Sequence, residues 1–508
     1  MRALRWLVIA GLAAGCGADA TGGGAEPTAD PGGLPGPDNN DNLYPVSSLG
    51  ATEGALYQDV AADAGYVYGC TGNAGLTVAA RAEDWSLSTI ATVALPDAKG
   101  CRAVTTSMDG GVFVTGQSDL GGSYIAEIGA GTGTVLASLH LPTDSVESIE
   151  ASATHVFVML GESGIKVLGR NDGALAEVGA LPSGFDQALG AALWYGAAAE
   201  GETPTASRLI VANGLSGLAV VDISDPAAPS IVSTNKTYGT ARRVVMRDDT
   251  AYVAQAGGGI SALDMSSDSP FPPLSSWSTH GSSVDVAIDP DGNVFVANLG
   301  DLCVLDGSDP TALTLTGSER IPAGSNPRVV GVAIDAGAGY AAEWNGLWTY
   351  GYAAGLDAAD IHLTKNAVDF GLVSLKKGKG IIVTNLGNDT LEIDAVAVVD
   401  ADGNPHPDFQ IEVEKNSFPP GDKGLLELTF EPVDDSEVQA WAELSTNDPD
   451  EPLVRIPLTA NMISGYQVGA PFDPDGELVF SEYKTGNDLT VKGQYSGSVV
   501  LLVWFASW

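Results

Sequence analysis

Basic residues are scarce in this chain: 23 Lys and Arg stand against 64 Asp and Glu over 508 residues, a formal charge of −41. A surface with that balance repels phosphate backbones and anionic headgroups, so nucleic acid is excluded as a partner and so is a lipid surface held by charge. Histidine is rare as well. The five residues, His140, His155, His280, His362 and His406, are scattered, and none stands at the His-x-x-x-His spacing of a metal site. No Gly-x-Ser-x-Gly elbow offers a serine nucleophile. Lys376-Lys377-Gly378-Lys379-Gly380 lacks the leading glycine and the following Ser or Thr of a phosphate loop, and reads as a hairpin turn. Asp289-Pro290-Asp291-Gly292-Asn293 and Asp400-Ala401-Asp402-Gly403-Asn404 do not continue into the spacing of an EF-hand and its terminal Glu, so they read as tight turns. Beyond the N-terminus no apolar run is long enough to cross a bilayer as a helix. Nothing in the sequence calls for a cofactor or a metal. An active site, if there is one, would have to be assembled from distant loops.

What the N-terminus does contain sets a compartment. Arg2 and Arg5 precede the apolar stretch Trp6 to Ala14, which is too short to span a membrane. The following Ala13-Ala14-Gly15-Cys16 resembles the lipobox of bacterial lipoproteins, with Ala13 where that family prefers Leu and Leu12 one place earlier. The resemblance implies cleavage after residue 15 and acylation of Cys16; the alternative is an ordinary secretory signal in which Cys16 is incidental. Gly17 follows in place of the aspartate that retains such proteins at the inner membrane, so the expected location is the cell envelope, at the outer membrane or cell surface. Several acyl chains give stable anchoring. Residues 16–42, rich in Gly, Pro and acidic side chains, read as a flexible tether. Of the other cysteines, Cys70 and Cys101 fall in neighbouring repeats, and spacing leaves open whether they form a disulfide. Cys303 lies in an apolar strand pattern and reads as a small buried residue.

Between residues 43 and 356 one theme recurs about every 40–50 residues, the period of propeller blades. Its clearest copy runs Leu209-Ile210-Val211-Ala212-Asn213-Gly214, then Gly217-Leu218-Ala219-Val220-Val221-Asp222, then an Asp225-Pro226 turn into Ser230 to Thr234. This copy resembles the LVIVD repeat of bacterial surface β-propellers. Copies follow at Tyr66-Val67-Tyr68, Val112-Phe113-Val114, Val156-Phe157-Val158, Tyr252-Val253-Ala254, Val294-Phe295-Val296 and Tyr340-Ala341-Ala342, which makes seven; six or eight blades stay open because the second and fourth copies are irregular. The fourth carries an insertion, Gly196 to Ser207. The last copy lacks a fourth strand, and Leu43 to Leu49 is an unpaired strand-like segment whose pairing there would leave no open edge.

From 360 to 461 the pattern becomes short strands of a sandwich, among them Ile381-Ile382-Val383-Thr384-Asn385, Leu426-Glu427-Leu428-Thr429-Phe430 and Ala440-Trp441-Ala442-Glu443-Leu444. The segment resembles Ig-like domains of the hydin and choice-of-anchor D type, which implies a spacer or adhesive module. Residues 465–508 contain Val468-Gly469-Ala470-Pro471, Asp475-Gly476 and Val499 to Trp508, VVLLVWFASW. They resemble the start of a thioredoxin-like domain, in which the next residue would be the first redox cysteine. The expected fold is therefore mainly β: a seven-bladed propeller, an Ig-like sandwich and an incomplete thioredoxin-like α/β segment. Two functions follow. One is a non-catalytic envelope lipoprotein whose propeller binds a protein or carbohydrate ligand or acts as a scaffold. The other is an envelope thiol–disulfide oxidoreductase or peroxidase whose redox residue lies just beyond Trp508, the sequence stopping there either at a TGA codon for a nucleophilic selenocysteine or through a plain truncation or frameshift.

Overall fold

The computed structural model describes residues 42–461 except 52–55, 83, 96–98, 172, 196–205, 267–270, 279–280, 321–327, 353–357, 366, 435 and 450, together with two short strands beyond. No helix occurs among the described residues. From Leu43 to Tyr352 the chain forms seven four-stranded antiparallel sheets. In the first six, four consecutive strands pair in sequence order. The first sheet, for example, runs Tyr57–Asp63, Tyr66–Thr71, Gly75–Arg81 and Leu87–Val93. The seventh combines Val329–Asp335, Ala338–Glu343 and Gly346–Tyr352 with the N-terminal strand Leu43–Gly50, which pairs antiparallel to Gly346–Tyr352.

Hydrophobic patterning explains the two middle strands of each sheet. A bulky side chain within a short apolar run recurs in the second strand: Tyr68, Phe113, Phe157, Ile210, Tyr252, Phe295 and Tyr340 are all buried. Both faces of these strands are covered, so they read as near-continuous apolar runs. Seven separate cores result, each filled from two adjacent sheets. Tyr68 and Val78 meet Val104 and Val114 between the first and second sheets. The last core joins Tyr340 and Leu347 of the seventh sheet to Tyr57, Val60 and Val67 of the first. The first strands of successive sheets follow one another around a ring, and Val329–Asp335 returns to Tyr57–Asp63. This is a propeller-like fold.

Two repeated devices shape the ring. In each of the first six sheets the pairing of third and fourth strands slips by one residue at the same place, for example between Val220 and Val221 and between Val304 and Leu305. Such bulges sharpen strand twist, which lets neighbouring sheets splay around an axis. The aspartate that ends the third strand closes a turn: Asp222, Asp264 and Asp306 accept hydrogen bonds from the amides of Ser224, Ser266 and Ser308 at 2.9, 2.8 and 2.9 Å.

Residues 361–460 form a sandwich of two sheets, one of four strands and one of five. Phe370, Phe409 and Phe430 pack between them, with ring centroids 4.7 to 5.6 Å apart. Lys377–Asn385 is a strand, so Lys376 to Gly380 is not the hairpin turn that its composition suggested. The glycines there only dilute a strand whose later residues, Ile381 and Val383, are buried. Asp400 does close a turn, accepting from the amides of Asp402 and Asn404, both at 2.9 Å. Asn42 links the two parts, its Nδ2 donating to Thr316 O at 2.7 Å and to Leu386 O at 3.4 Å. The thioredoxin-like resemblance lies outside the described residues except for Val479–Ser481 and Asp488–Thr490, which pair antiparallel.

Deleting Leu43–Gly50 uncovers the ladder groups of Gly346–Tyr352 and removes the buried Leu43. The expected outcome is a loss of several kcal/mol from the ring transition, with the sandwich transition retained, in scanning calorimetry.

Candidate functional site

The ring axis is the natural place for a site, because every sheet contributes an equivalent residue there. The register of first and second strands fixes the equivalence. The amides of Arg102, Glu147, Leu189, Arg242 and Val284 donate to Thr115, Met159, Ala212, Ala254 and Ala297 carbonyls at 2.7 to 2.9 Å. One residue further on, the layer reads Asp59, Ala103, Ser148, Gly190, Arg243, Asp285 and Gly331. Seven identical backbone positions therefore carry two carboxylates and one guanidinium among small residues.

The two aspartates fasten adjacent sheets. Asp59 Oδ1 accepts from the Val60 amide at 3.0 Å, and Oδ2 accepts from the Val104 amide of the second sheet at 3.1 Å. Asp285 repeats the arrangement with Val286 at 2.9 Å and Val332 of the seventh sheet at 2.9 Å. Arg243 stands between them: its Nε lies 3.6 Å from Asp285 Oδ1 and its Nη1 donates to Leu189 O at 2.7 Å. The absence of a side chain at Gly190 is needed here, since a Cβ would come within 2.9 Å of Arg243 Cδ. Burial raises the pKa of Asp59, Arg243 opposes that rise, and the charge of Asp285 adds to it. Burial also raises Asp285, against Arg243 and its two amide donors. Glu150, on the wall of the same channel, is pushed up to about 8 by loss of water around it.

Two cavities open from this layer in opposite directions. One, of 590 Å³, is bordered by Glu150, Met108, Trp194, Tyr195 and Asp248. The other, of 670 Å³, lies where the first strands begin. One residue per sheet lines it: Gln58, Arg102, Glu147, Leu189, Arg242, Val284 and Val330. Arg243, Ala256, Ser282, Leu299, Arg328 and Trp344 complete its wall. Arg102 pairs with Glu147, and the Arg328 guanidinium sits 5.2 Å from the Trp344 ring centroid. Arg242 is half-buried and makes no side-chain hydrogen bond or ion pair among the described residues. Burial, then the like charge of Arg243, holds its pKa below the usual guanidinium range, partly offset by Glu147.

Of the residues singled out from sequence, Cys16 lies outside the described residues. Cys70 and Cys101 are disulfide-bonded, with Cα atoms 5.1 Å apart, and tie the first sheet to the entry of the second. Between later sheets the same place is held by short backbone bridges, Gly161 to Ala188, Gly214 to Ala241 and Ala256 to Ser283. Cys303 is buried and its thiol is raised well above the usual range by that burial. Among the described residues no group of three His, Cys, Asp or Glu is arranged to hold a metal. Asp289 closes a turn, accepting from the amides of Gly292 and Asn293, both at 2.8 Å. The arginines of the cavity went unnoticed in the sequence. Their signal is positional: Arg102-Ala103-Val104, Arg242-Arg243-Val244 and Arg328-Val329-Val330 each open a first strand in a chain that uses few basic residues.

The LVIVD repeat family matches residues 209–237 and 280–319, which contain the third and fourth strands of two sheets. A comparison with curated proteins finds no match. Solved structures with similarity include the WD40 beta propeller domain of Doa1, at 14% identity and a TM-score of 0.46 over 61% of this chain and 97% of that one. The Cps50 (Swd1) beta-propeller domain of Myceliophteria thermophila aligns at 10% identity and a TM-score of 0.48 over 60% and 98%. The computationally designed Ika8 protein aligns at 12% identity and a TM-score of 0.41 over 61% and 99%.

Two outcomes are expected at these residues. Cys101→Ser opens a link that encloses a 31-residue separation, and should lower ring stability by about 2–4 kcal/mol in urea unfolding under oxidising conditions. The pH response follows from Glu150, whose folded pKa stands above its unfolded one, so the native state holds a proton that the unfolded chain releases. That stability contribution is full below the ordinary carboxylate range and is lost as pH rises towards 8. Glu150→Gln should therefore stabilise the ring at pH 8 by about 1–2 kcal/mol and change little at pH 4, as read by calorimetry at the two pH values.

Proposed function

We propose that this protein is a cell-envelope lipoprotein with a binding or scaffold role, held at the outer membrane or cell surface through acylated Cys16. In this reading the seven sheets are the seven blades of a propeller of the LVIVD-repeat type. The sandwich is an Ig-like spacer of the hydin and choice-of-anchor D type, and residues 16–42 are the tether. The observation that carries the binding role is the 670 Å³ cavity on the ring axis, lined by one residue from each sheet with four arginines on its wall. Pre-formed concave sites of this size, with apolar walls and a few convergent polar groups, are the usual form of a ligand site. Arg102, Glu147, Leu189, Arg242 and Val284 each stand immediately before a first strand and are tied to the adjoining second strand by their amides, which fixes that part of the wall.

The strongly acidic exterior suits an exposed, soluble body and disfavours nucleic acid. The ligand is then a protein or carbohydrate component of the surroundings, or a small molecule. The redox alternative has the sequence resemblance of residues 465–508 as its support, and the described residues do not bear on it.

The test is metabolic labelling with a radioactive fatty acid in a bacterial host. The wild type is expected to take up label and sediment with membranes, and Cys16→Ser is expected to lose both properties. A Cys16→Ser variant that stays with membranes, or a wild type that takes up no label, would sink the lipoprotein reading.

A further inference from the structure

Four arginines converge on one cavity in a chain with only 23 basic residues against 64 acidic ones. Two of them, Arg102 and Arg242, occupy the same backbone position of two different repeats, and Arg328 immediately precedes the first strand of a third. Their mutual repulsion has a cost, and the protein compensates it only in part. Glu147 takes Arg102, and Asp285 below the floor takes the Nε of Arg243. The guanidinium of Arg242 faces the cavity with no hydrogen-bond or ion-pair partner among the described residues.

The rest of the wall narrows the choice of ligand. Leu189, Val284, Val330 and Trp344 are apolar, so a charge bound among them is poorly screened and a fully hydrated inorganic ion gains little. Planar guanidinium forks match the geometry of carboxylates and related oxyanions. A cavity of 670 Å³ admits a compact organic molecule and not an extended polymer. The exterior charge of −41 acts in the same direction, because it repels long polyanions while a compact anion can lie within the local positive field.

Resting on the ligand-binding reading above, we propose that the arginine-lined cavity at the start of the first strands binds a compact organic anion bearing two or more carboxylates. Arg242 and Arg328 grip it from two sides, Arg102 exchanges part of its contact with Glu147 for the ligand, and the apolar wall covers the carbon skeleton. Such a group occurs as a free polycarboxylate or as the acidic C-terminal end of a peptide.

The experiment is isothermal titration of the purified full chain with citrate, at low and at physiological salt. One saturable site per chain is expected, weakened by added salt. Arg242→Ala and Arg328→Ala should each weaken citrate by roughly ten- to a hundred-fold, the effect of losing a charge-assisted hydrogen-bonding partner. Arg455→Ala, in the sandwich, should change nothing. Should Arg242→Ala fail to fold, Arg242→Lys keeps the charge and is still expected to weaken binding, because an ammonium cannot form the fork. A short peptide ending in Asp-Glu, with a free or an amidated C-terminus, separates the two sources. Tighter binding of the free-ended peptide than of citrate assigns the site to a chain end, and the reverse assigns it to a free metabolite. Absence of a saturable site, or affinity indifferent to Arg242 and Arg328, overturns the proposal. The membrane reading fails separately, since loss of labelling at Cys16 has no bearing on citrate affinity.

Discussion

A β-sheet built from repeats cannot be stable with an unpaired edge and an uncovered face, and the architecture of residues 43–352 answers that constraint. Each four-stranded sheet buries both faces against its neighbours, so no sheet is complete without the next. The arrangement then has to return to its start. It does so twice: Leu43–Gly50 supplies the outer strand of the seventh sheet, and the core of Tyr340 and Leu347 with Tyr57 and Val67 joins that sheet to the first. Polar contacts add to the closure. Asp335 of the seventh sheet accepts from the Gly65 amide at 2.9 Å and pairs with Arg81 of the first at 3.4 Å.

Closure of the ring determines what lies at its centre. First strands from seven sheets converge on the axis, where the space per strand is smallest, so small residues dominate the layer at Ala103, Ser148, Gly190 and Gly331. The few large side chains that enter it must be useful or compensated. Asp59 and Asp285 are compensated, since each carboxylate receives amides from its own strand and from the neighbouring sheet. Arg243 balances them, and truncating it would leave buried carboxylates without their cation. The arginines one step outward differ in kind. Arg242 in particular faces the cavity, which is the arrangement expected of a surface that receives charge from a ligand.

The second and third strands of each repeat were legible as patterns, because burial on both faces demands runs such as Val156-Phe157-Val158 and Leu209-Ile210-Val211. The first strands were not. Ala103–Thr106 and Ser148–Ala151 have four residues each and no common pattern, because their neighbours are a channel and small side chains instead of a greasy core. Outer strands such as Ser230–Asn235 alternate exposed and half-buried positions and carry a bulge, which blurs the period of two. Lys377–Asn385 was misread for a related reason: its glycines and lysines sit at the exposed end of a strand whose pairing with Lys423–Phe430 lies far away in sequence.

By itself the sequence determined the mainly β class of the fold and the repeat, because these depend on local composition and periodicity. Tertiary structure decided which residues share a layer on the axis. Arg102, Arg242 and Arg328 are separated by up to two hundred residues or so, and only ring geometry brings the entrances of their three first strands together. The same holds for Cys70 and Cys101, whose 5.1 Å separation depends on how the second sheet enters beside the first. Spacing along a chain fixes periodicity, whereas distance through space is set by how the sheets pack around a common axis.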